Sequence, residues 1–189
     1  MWCEGTPNRT RGVCAPHVSP LLKMNRSHLL LILLGGVLLT AAADLAWLYP
    51  QLPERMATKF GAGGQPVAWT ARGSFLTLQI FSLVFVAVLI VGLWWAMPRF
   101  PANLINLPHR HYWLAPEREA ATRQWLGNLV LCLGLALLVY LTGVGHLAMR
   151  ANLAPEPRLG PAFWWLTGSY LAGTLALVAW LYLRFRLSR

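Results

Sequence analysis

The sequence predicts an all-α fold, a bundle of four transmembrane helices with both termini in the cytoplasm. Composition is the first indication, since 57% of the 189 residues are hydrophobic and only 12% are charged, against about 25% charged in soluble domains. A water-soluble fold of this length leaves much of its surface in water and could not bury so much apolar side chain. Lipid is therefore the expected surrounding of most of the chain.

Four apolar stretches give the second indication, because each is close to the roughly 20 residues that a helix needs to cross about 30 Å of hydrocarbon. They cover residues 29–49, 75–97, 125–149 and 162–185. Backbone polar groups in hydrocarbon must be satisfied within their own segment, so these stretches are predicted to be helices. The predicted membrane domain spans 28–185, with outer loops at 50–74 and 150–161 and an inner loop at 98–124.

The distribution of positive charge predicts the orientation. Eleven of the sixteen Lys and Arg residues lie in the N-terminal tail, the loop at 98–124 and the C-terminal end, and five lie in the other two loops. Positively charged loops tend to stay on the cytoplasmic side of a membrane. We therefore expect a multi-pass protein of the bacterial inner (plasma) membrane, with both ends inside and a basic tail at 186–189.

The first helix follows a polar tail at 1–27. Met24 stands just before a short polar stretch and an apolar run, as in an ordinary bacterial membrane protein, which favours Met24 over Met1 as the start of translation. Three alanines at 41–43 imitate a signal-peptidase site. Apolar residues resume after Asp44 and restore a spanning length, so the first helix is predicted to be retained.

Other classes of site are not indicated. The net charge of +10 comes from basic residues scattered between apolar runs, not from the continuous stripe that nucleic-acid binding requires. The cysteines at 3, 14 and 132 lack the spacing of a disulfide framework or a zinc site. We expect no nucleic-acid partner, no metal and no cofactor.

Four polar side chains at similar predicted depth form a candidate site within the membrane. A charged residue near the centre of a membrane helix costs roughly 2.5–3.5 kcal/mol, so such residues are functional candidates. Each predicted helix contributes one, a few residues from its outer end: Asp44, Gln79, His146 and Tyr170. At 1.5 Å per residue they share a level roughly 6–13 Å below the outer boundary.

Three interpretations of this polar layer remain open. The first is a structural clamp in which Asp44, Gln79 and His146 hydrogen-bond between helices. The second is a shallow outward pocket that responds to protons or cations, since histidine changes its charge near neutral pH. In the third, Asp44 and His146 reach separately towards lipid headgroups.

The first outer loop is rich in residues that restrict or permit particular backbone angles. Three glycines at 61, 63 and 64 allow left-handed conformations, while Pro53 and Pro66 fix their own φ. Phe60 and Trp69 supply rings that can pack at the membrane surface. The loop has no phosphate-binding glycine pattern and no nucleophile elbow. It is predicted to be compact and ordered.

This loop resembles that of the bacterial domain-of-unknown-function family 1648, whose members include relatives of the SdpI-type immunity membrane proteins. The match rests on Leu52, Pro53, Phe60, Gly64 and Pro66. The resemblance implies a ligand-binding outer loop that includes Pro53, Phe60, Gly64 and Pro66. Lys59 and Val67 stand where the family usually has His and Asp, which implies altered or lost binding of whatever those residues hold.

A second block, in the inner loop, resembles the same family. The matching residues are Asn106, Pro108, Tyr112, Trp113, Pro116, Glu117 and Arg118. Pro116 followed by acidic residues predicts the start of a short helix that leads into the third membrane helix. Arg110 and Arg118, close to Trp113, are predicted to anchor the loop to anionic lipid headgroups. His109 and His111 lack a third fixed ligand, so no metal site is predicted.

No arrangement of catalytic side chains is evident, so we do not expect an enzyme. The resemblance implies a non-catalytic plasma-membrane protein of SdpI-like type, with a role in immunity or in sensing an envelope ligand such as a peptide or toxin. An alternative is a proton- or cation-coupled transporter or channel component that uses Asp44 and His146. A further alternative is a membrane anchor that recruits a cytoplasmic partner to the inner loop.

Overall fold

The computed structural model describes residues 25–186. Four long helices make up most of it: α1 (Arg26–Leu48), α2 (Arg72–Ala96), α4 (Glu119–Asn152) and α5 (Pro161–Arg186). Each is long and apolar enough to cross a membrane. The predicted fold class is thus confirmed as a four-helix, multi-pass membrane protein, while the cytoplasmic location of both ends stays a prediction. The choice between Met1 and Met24, the cysteines at 3 and 14, and most of both predicted tails lie outside the described residues.

The inner loop between α2 and α4 is irregular apart from short helical turns. Two single 3₁₀ turns, Met97–Arg99 and Ala102–Leu104, precede the one-turn helix α3 (Arg110–Trp113). Pro116, predicted to open a helix, lies in a turn, and α4 begins three residues later at Glu119. The predicted short helix is therefore the first part of one helix of 34 residues. At 1.5 Å per residue it is about 51 Å long, so it extends beyond the hydrocarbon.

Arg123 fastens this loop to the first turns of α4. Its guanidinium forms an ion pair with Glu119 at 2.7 Å and donates to the carbonyl oxygens of Met97 (3.0 Å) and Phe100 (2.6 Å). Carbonyls at the end of a helix have no partner within the helix, and a nearby arginine satisfies them. The end of α2 is thereby held beside the start of α4.

The segment between α1 and α2, predicted as a compact loop, is an antiparallel β-hairpin. Its strands are β1 (Arg55–Phe60) and β2 (Pro66–Ala71), and the ladder has an irregular register near Thr58. The glycines form the turn, and Gly64 has a φ of +79°, which favours glycine because a side chain is strained there. We call the end of the bundle that carries this structure the hairpin end, and the other the loop end.

The core lies between α1, α2 and α4, and α4 is the central helix. Its buried cluster consists of Leu34, Ala41, Leu83, Ala87, Ile90, Leu131 and Leu138. Gly134 lets α2 approach α4 closely, since a β-carbon there would meet the side chain of Ile90. α5 packs mainly along α4 and contributes no residue to this cluster.

A second apolar cluster joins the hairpin to the bundle. Its buried members are Leu45, Leu48, Leu52, Met56 and Met149, drawn from α1, the following turn, β1 and α4. Met56 and the adjacent Ala57 are completely buried. Successive side chains of a strand point to opposite faces of the sheet. Since both of these neighbours are buried, β1 is covered by other parts of the protein on both faces. The hairpin is therefore an integral part of the fold.

Candidate functional site

Asp44 and His146 meet near the hairpin end. The Nδ1 atom of His146 lies 2.9 Å and 3.0 Å from the two carboxylate oxygens of Asp44. Nδ1 donates this bond when the His146 tautomer carries its proton on that atom. The side chains are 43% exposed for His146 and 25% exposed for Asp44. The pair thus links α1 to α4 while one side remains open.

Gln79 does not join this pair. Its Nε2 donates to the carbonyl oxygen of Leu141 at 3.2 Å, and its side chain fills the space beside Gly145. Tyr170 is also separate, since it stacks on Tyr140 with ring centres 4.4 Å apart. The predicted polar layer is therefore three contacts, each between α4 and a different helix.

The reason lies in the rotation of side chains about α4. With 3.6 residues per turn, successive residues are about 100° apart. Gln79 contacts α4 at Leu141 and Gly145, which lie close together on one side of the helix. That side, the side of His146 and the side of Tyr140 are consequently about 120° from one another around the helix axis. The four side chains lie at a similar depth, but α1, α2 and α5 approach α4 from three different sides.

Asn152 makes three hydrogen bonds at the hairpin end. Its Oδ1 accepts from the backbone N–H of Ala57 at 2.7 Å, and its Nδ2 donates to the carbonyl oxygen of Ala57 at 2.9 Å. Nδ2 also donates to the Ala148 carbonyl oxygen at 2.8 Å. The residue is only 4% exposed. The amide thus replaces a neighbouring strand along β1 and clamps the hairpin to the end of α4.

Sequence reasoning missed this residue because it ended the third membrane helix at Met149 and assigned position 152 to a loop. One signal was present: an amide side chain lies three residues beyond an apolar helix, within a single further turn. Asn and Gln resemble a peptide group, and are suited to bonding an exposed strand edge.

The four family-like residues of the loop have separate places in the hairpin. Phe60 pairs with Pro66 where the two strands meet the turn. Gly64 accepts a hydrogen bond from the N–H of Leu159 at 2.9 Å, so the hairpin tip is docked on the connection between α4 and α5. Pro53 lies before β1 and is exposed. These residues do not converge on one point, and three of them shape the turn.

Two neighbouring clefts separate the hairpin from the connection between α4 and α5. Their volumes are about 380 Å³ and 460 Å³, and both are lined by Pro155 and Pro157. Pro53, Arg55 and Trp69 line the first, whereas Pro66, Glu156 and Arg158 line the second. We call the two together the hairpin groove.

The inner-loop residues pack at the loop end. Arg118 stacks on Tyr112, with its Cζ 4.1 Å from the ring centre, and Trp113 lies edge-on to Phe185 of α5. Pro116 and Glu117 occupy the turn before α4, whereas Asn106 and Pro108 lie in the irregular segment before α3. His109 has a left-handed φ of 53° and precedes α3. Between residues 25 and 186, no three His, Cys, Asp or Glu side chains are grouped to hold a metal.

Comparison with known proteins identifies the family. The model of the family described as "Domain of unknown function (DUF1648)" matches residues 35–83. An uncharacterized protein of Archaeoglobus fulgidus is 33% identical over 126 residues, which cover 61% of this chain and 68% of that protein. The chain belongs to the DUF1648 family. No solved structure matches it.

The DUF1648 segment, residues 35–83, contains most of α1, the hairpin and the first half of α2. It supplies one partner of three contacts with α4 at the hairpin end, namely Asp44, Ala57 and Gln79. The other partners, including His146 and Asn152, come from α4 and lie outside the DUF1648 match. The site is thus formed by docking this segment on α4. The family-like block at 106–118 also lies outside the match.

Proposed function

We propose that this protein is a non-catalytic plasma-membrane receptor whose hairpin groove faces the outside of the cell and binds an extended peptide, as an SdpI-like immunity or envelope-sensing protein would. The observation that carries the proposal is the buried clamp between Asn152 and Ala57. This clamp holds the hairpin in one position relative to α4. A surface that is already ordered loses less conformational entropy when it binds a ligand.

The groove has a shape and a charge that suit such a ligand. Its two clefts lie side by side along Pro155 and Pro157, which line both of them. Arg55 lies in one cleft and Arg158 in the other, while Glu156 is the acidic residue that lines the second. Arginine binds carboxylates through two parallel hydrogen bonds. We therefore expect a peptide that carries acidic side chains.

The free edge of β2 provides a second means of holding an extended chain. Ala57 directs both backbone groups towards Asn152 and away from β2, so its partner Trp69 must direct its own backbone groups to the opposite edge. The described sheet has two strands, which leaves that edge open. Val67 and Trp69, at 67% and 44% exposed, flank it. Peptides commonly bind such an edge as an added strand.

The test compares sensitivity to peptide toxins in cells that lack the gene. Deletion should raise sensitivity to at least one acidic peptide, and wild-type protein should restore resistance. The double variant Arg55→Gln/Arg158→Gln should fail to restore it at equal membrane abundance. The matched control Arg99→Gln, at the loop end, should restore it fully. Unchanged sensitivity across a broad panel, or full complementation by the double variant, contradicts the proposal.

A second candidate is proton- or cation-coupled transport, and the contact between Asp44 and His146 favours it. A carboxylate and an imidazole in contact can pass or exchange a proton. Against it, the core below this pair is filled by apolar side chains such as Leu131 and Leu138, both completely buried. Purified protein in liposomes should then show a pH-driven flux that Asp44→Asn abolishes. Tight, well-inserted liposomes without flux exclude this candidate.

A further inference from the structure

A cavity of about 320 Å³ lies at the loop end, between the turn before α4 and the last turn of α5. We call it the loop-end cavity. Its polar and aromatic lining consists of Trp113, Arg118, Thr122, Trp125, Arg184 and Phe185. None of the described residues that line it is acidic. Two positive charges therefore face a space in which no residue of the described range 25–186 supplies a negative charge.

Both arginines are held by aromatic rings. The Cζ of Arg118 is 4.1 Å from the centre of the Tyr112 ring, and that of Arg184 is 4.5 Å from Trp125 and 5.3 Å from Trp180. The ion pairs of the described residues are those of Arg123 with Glu119 and of His146 with Asp44, so neither arginine has a carboxylate partner among residues 25–186. Stacking fixes a guanidinium in place and leaves its N–H groups available to an anion.

Trp113, which also lines the cavity, carries an unsatisfied donor. Its Nε1–H is buried and has no acceptor among the described residues. The ring is held edge-on by Phe185, with ring centres 5.1 Å apart, and its backbone carbonyl accepts from the Thr122 hydroxyl at 2.9 Å. A buried N–H without a partner is unfavourable. An acceptor oxygen that reaches it after a small movement of the ring would remove that cost.

We propose that the loop-end cavity binds a phosphate-bearing anion, either the headgroup of an anionic phospholipid or a soluble phosphate. Phosphate oxygens match two guanidinium groups and an indole N–H, since all three only donate. The position favours lipid as the source. The cavity lies where α4 and α5 reach the predicted cytoplasmic surface, and anionic lipids are concentrated in that leaflet.

The structure also changes the residues expected to act together. The sequence paired Arg118 with Arg110, but the Arg110 guanidinium donates instead to the carbonyl oxygen of Asn103 at 3.4 Å. Arg184, from the far end of the chain, takes its place beside Arg118 in the cavity. This site is independent of the proposed peptide groove, which lies at the other end of the bundle.

The test measures lipid retention by native mass spectrometry of the purified full-length protein. Wild-type protein extracted from mixed bilayers should retain phosphatidylglycerol over phosphatidylcholine. Arg118→Gln/Arg184→Gln should lower that preference about tenfold, as expected when charge-assisted hydrogen bonds are lost. Trp113→Phe, which keeps the ring and removes the N–H, should lower it less. The matched control Arg99→Gln removes a charge that also stacks on a tryptophan at the loop end, at 4.8 Å, and should leave the preference unchanged.

A second arm distinguishes the source of the phosphate. The indole N–H signal of Trp113 is followed by NMR in phospholipid-free detergent, with Trp113→Phe for assignment, while inorganic phosphate or short-chain phosphatidylglycerol is added. Movement with the lipid alone assigns a headgroup site, and movement with phosphate assigns a site for a soluble anion. The proposal is overturned if neither probe moves this signal and the double variant retains lipid as wild type does. It is also overturned if Arg99→Gln reduces retention equally.

Discussion

The side-chain amide of Asn152 bonds both backbone polar groups of Ala57, at 2.7 Å and 2.9 Å. One end of a membrane helix thus completes one edge of a two-stranded sheet. Both residues are buried, so water cannot replace these bonds. The position of the hairpin is therefore set in part by this amide of α4, together with the packing of Met56 on Met149.

Replacing that amide should free the hairpin. In Asn152→Ala, two buried backbone groups lose their partners, and the free energy of opening the hairpin should fall by about 2 kcal/mol. Hydrogen exchange at the Ala57 amide should then accelerate roughly 30-fold in detergent micelles. The exposed Asn103→Ala at the loop end serves as the control. Equal exchange rates in wild type and Asn152→Ala would show that the clamp is not needed.

Gly64→Ala should disturb the tip of the hairpin. Alanine is strained at a φ of +79°, and its β-carbon would also meet the carbonyl oxygen of Leu159. We expect a loss of about 1–2 kcal/mol of local stability and faster exchange of the Leu159 amide. Gly61→Ala is the matched control, because its β-carbon makes only ordinary contacts of 3.4 Å or more. A tip equally protected in both variants would contradict the prediction.

Gly134→Ala should force α2 and α4 apart. The added methyl group would overlap the side chain of Ile90, and such overpacking costs about 1–3 kcal/mol. Ile90→Ala should relieve the overlap, so the double variant should be more stable than the sum of the two single changes. Denaturation in mixed micelles measures this coupling. Gly36→Ala, with nothing within 4 Å of the added carbon, should leave the stability unchanged or raise it.

The contact between Asp44 and His146 should have a small energy. Polar contacts between membrane helices average about 0.6 kcal/mol and rarely exceed about 1.7 kcal/mol. A double-mutant cycle with Asp44→Ala and His146→Ala should return a coupling in that range. Pairing His146→Ala with Thr77→Ala is the control, since the Thr77 hydroxyl donates within its own helix to Gly73. A larger coupling would point to a role beyond fastening α1 to α4.

The sequence carried the fold class and the spans because both depend on length and polarity alone. It also brought Asp44 and His146 to one depth, which is a matter of counting residues along a helix. It could not say that Gln79 and Tyr170 face other sides of α4, because rotation depends on which helix lies at the centre. α4 takes that place through contacts such as Gly134 with Ile90.

The hairpin was recognised as ordered but not as strands. Its two strands have six residues each, and β1 buries side chains on both faces, so it lacks the alternation of a half-exposed strand. The edge of β1 that faces away from β2 is hydrogen-bonded by Asn152, which lies 95 positions away from Ala57 in the sequence. Such a distant partner leaves no local trace in β1. The pairing of Arg118 with Arg184 was missed for the same reason.

The exclusion of α5 from both apolar clusters bears on how the protein is made. Every buried member of those clusters lies at or before Met149. All buried members of both clusters, together with the amide that holds the hairpin, have therefore left the ribosome once α4 has been synthesised and extruded. The bond from Leu159 to the hairpin tip, the packing of Phe185 on Trp113 and the surface along α4 await the residues that follow α4. We therefore expect the first three membrane helices and the hairpin to be able to pack together before α5 is added.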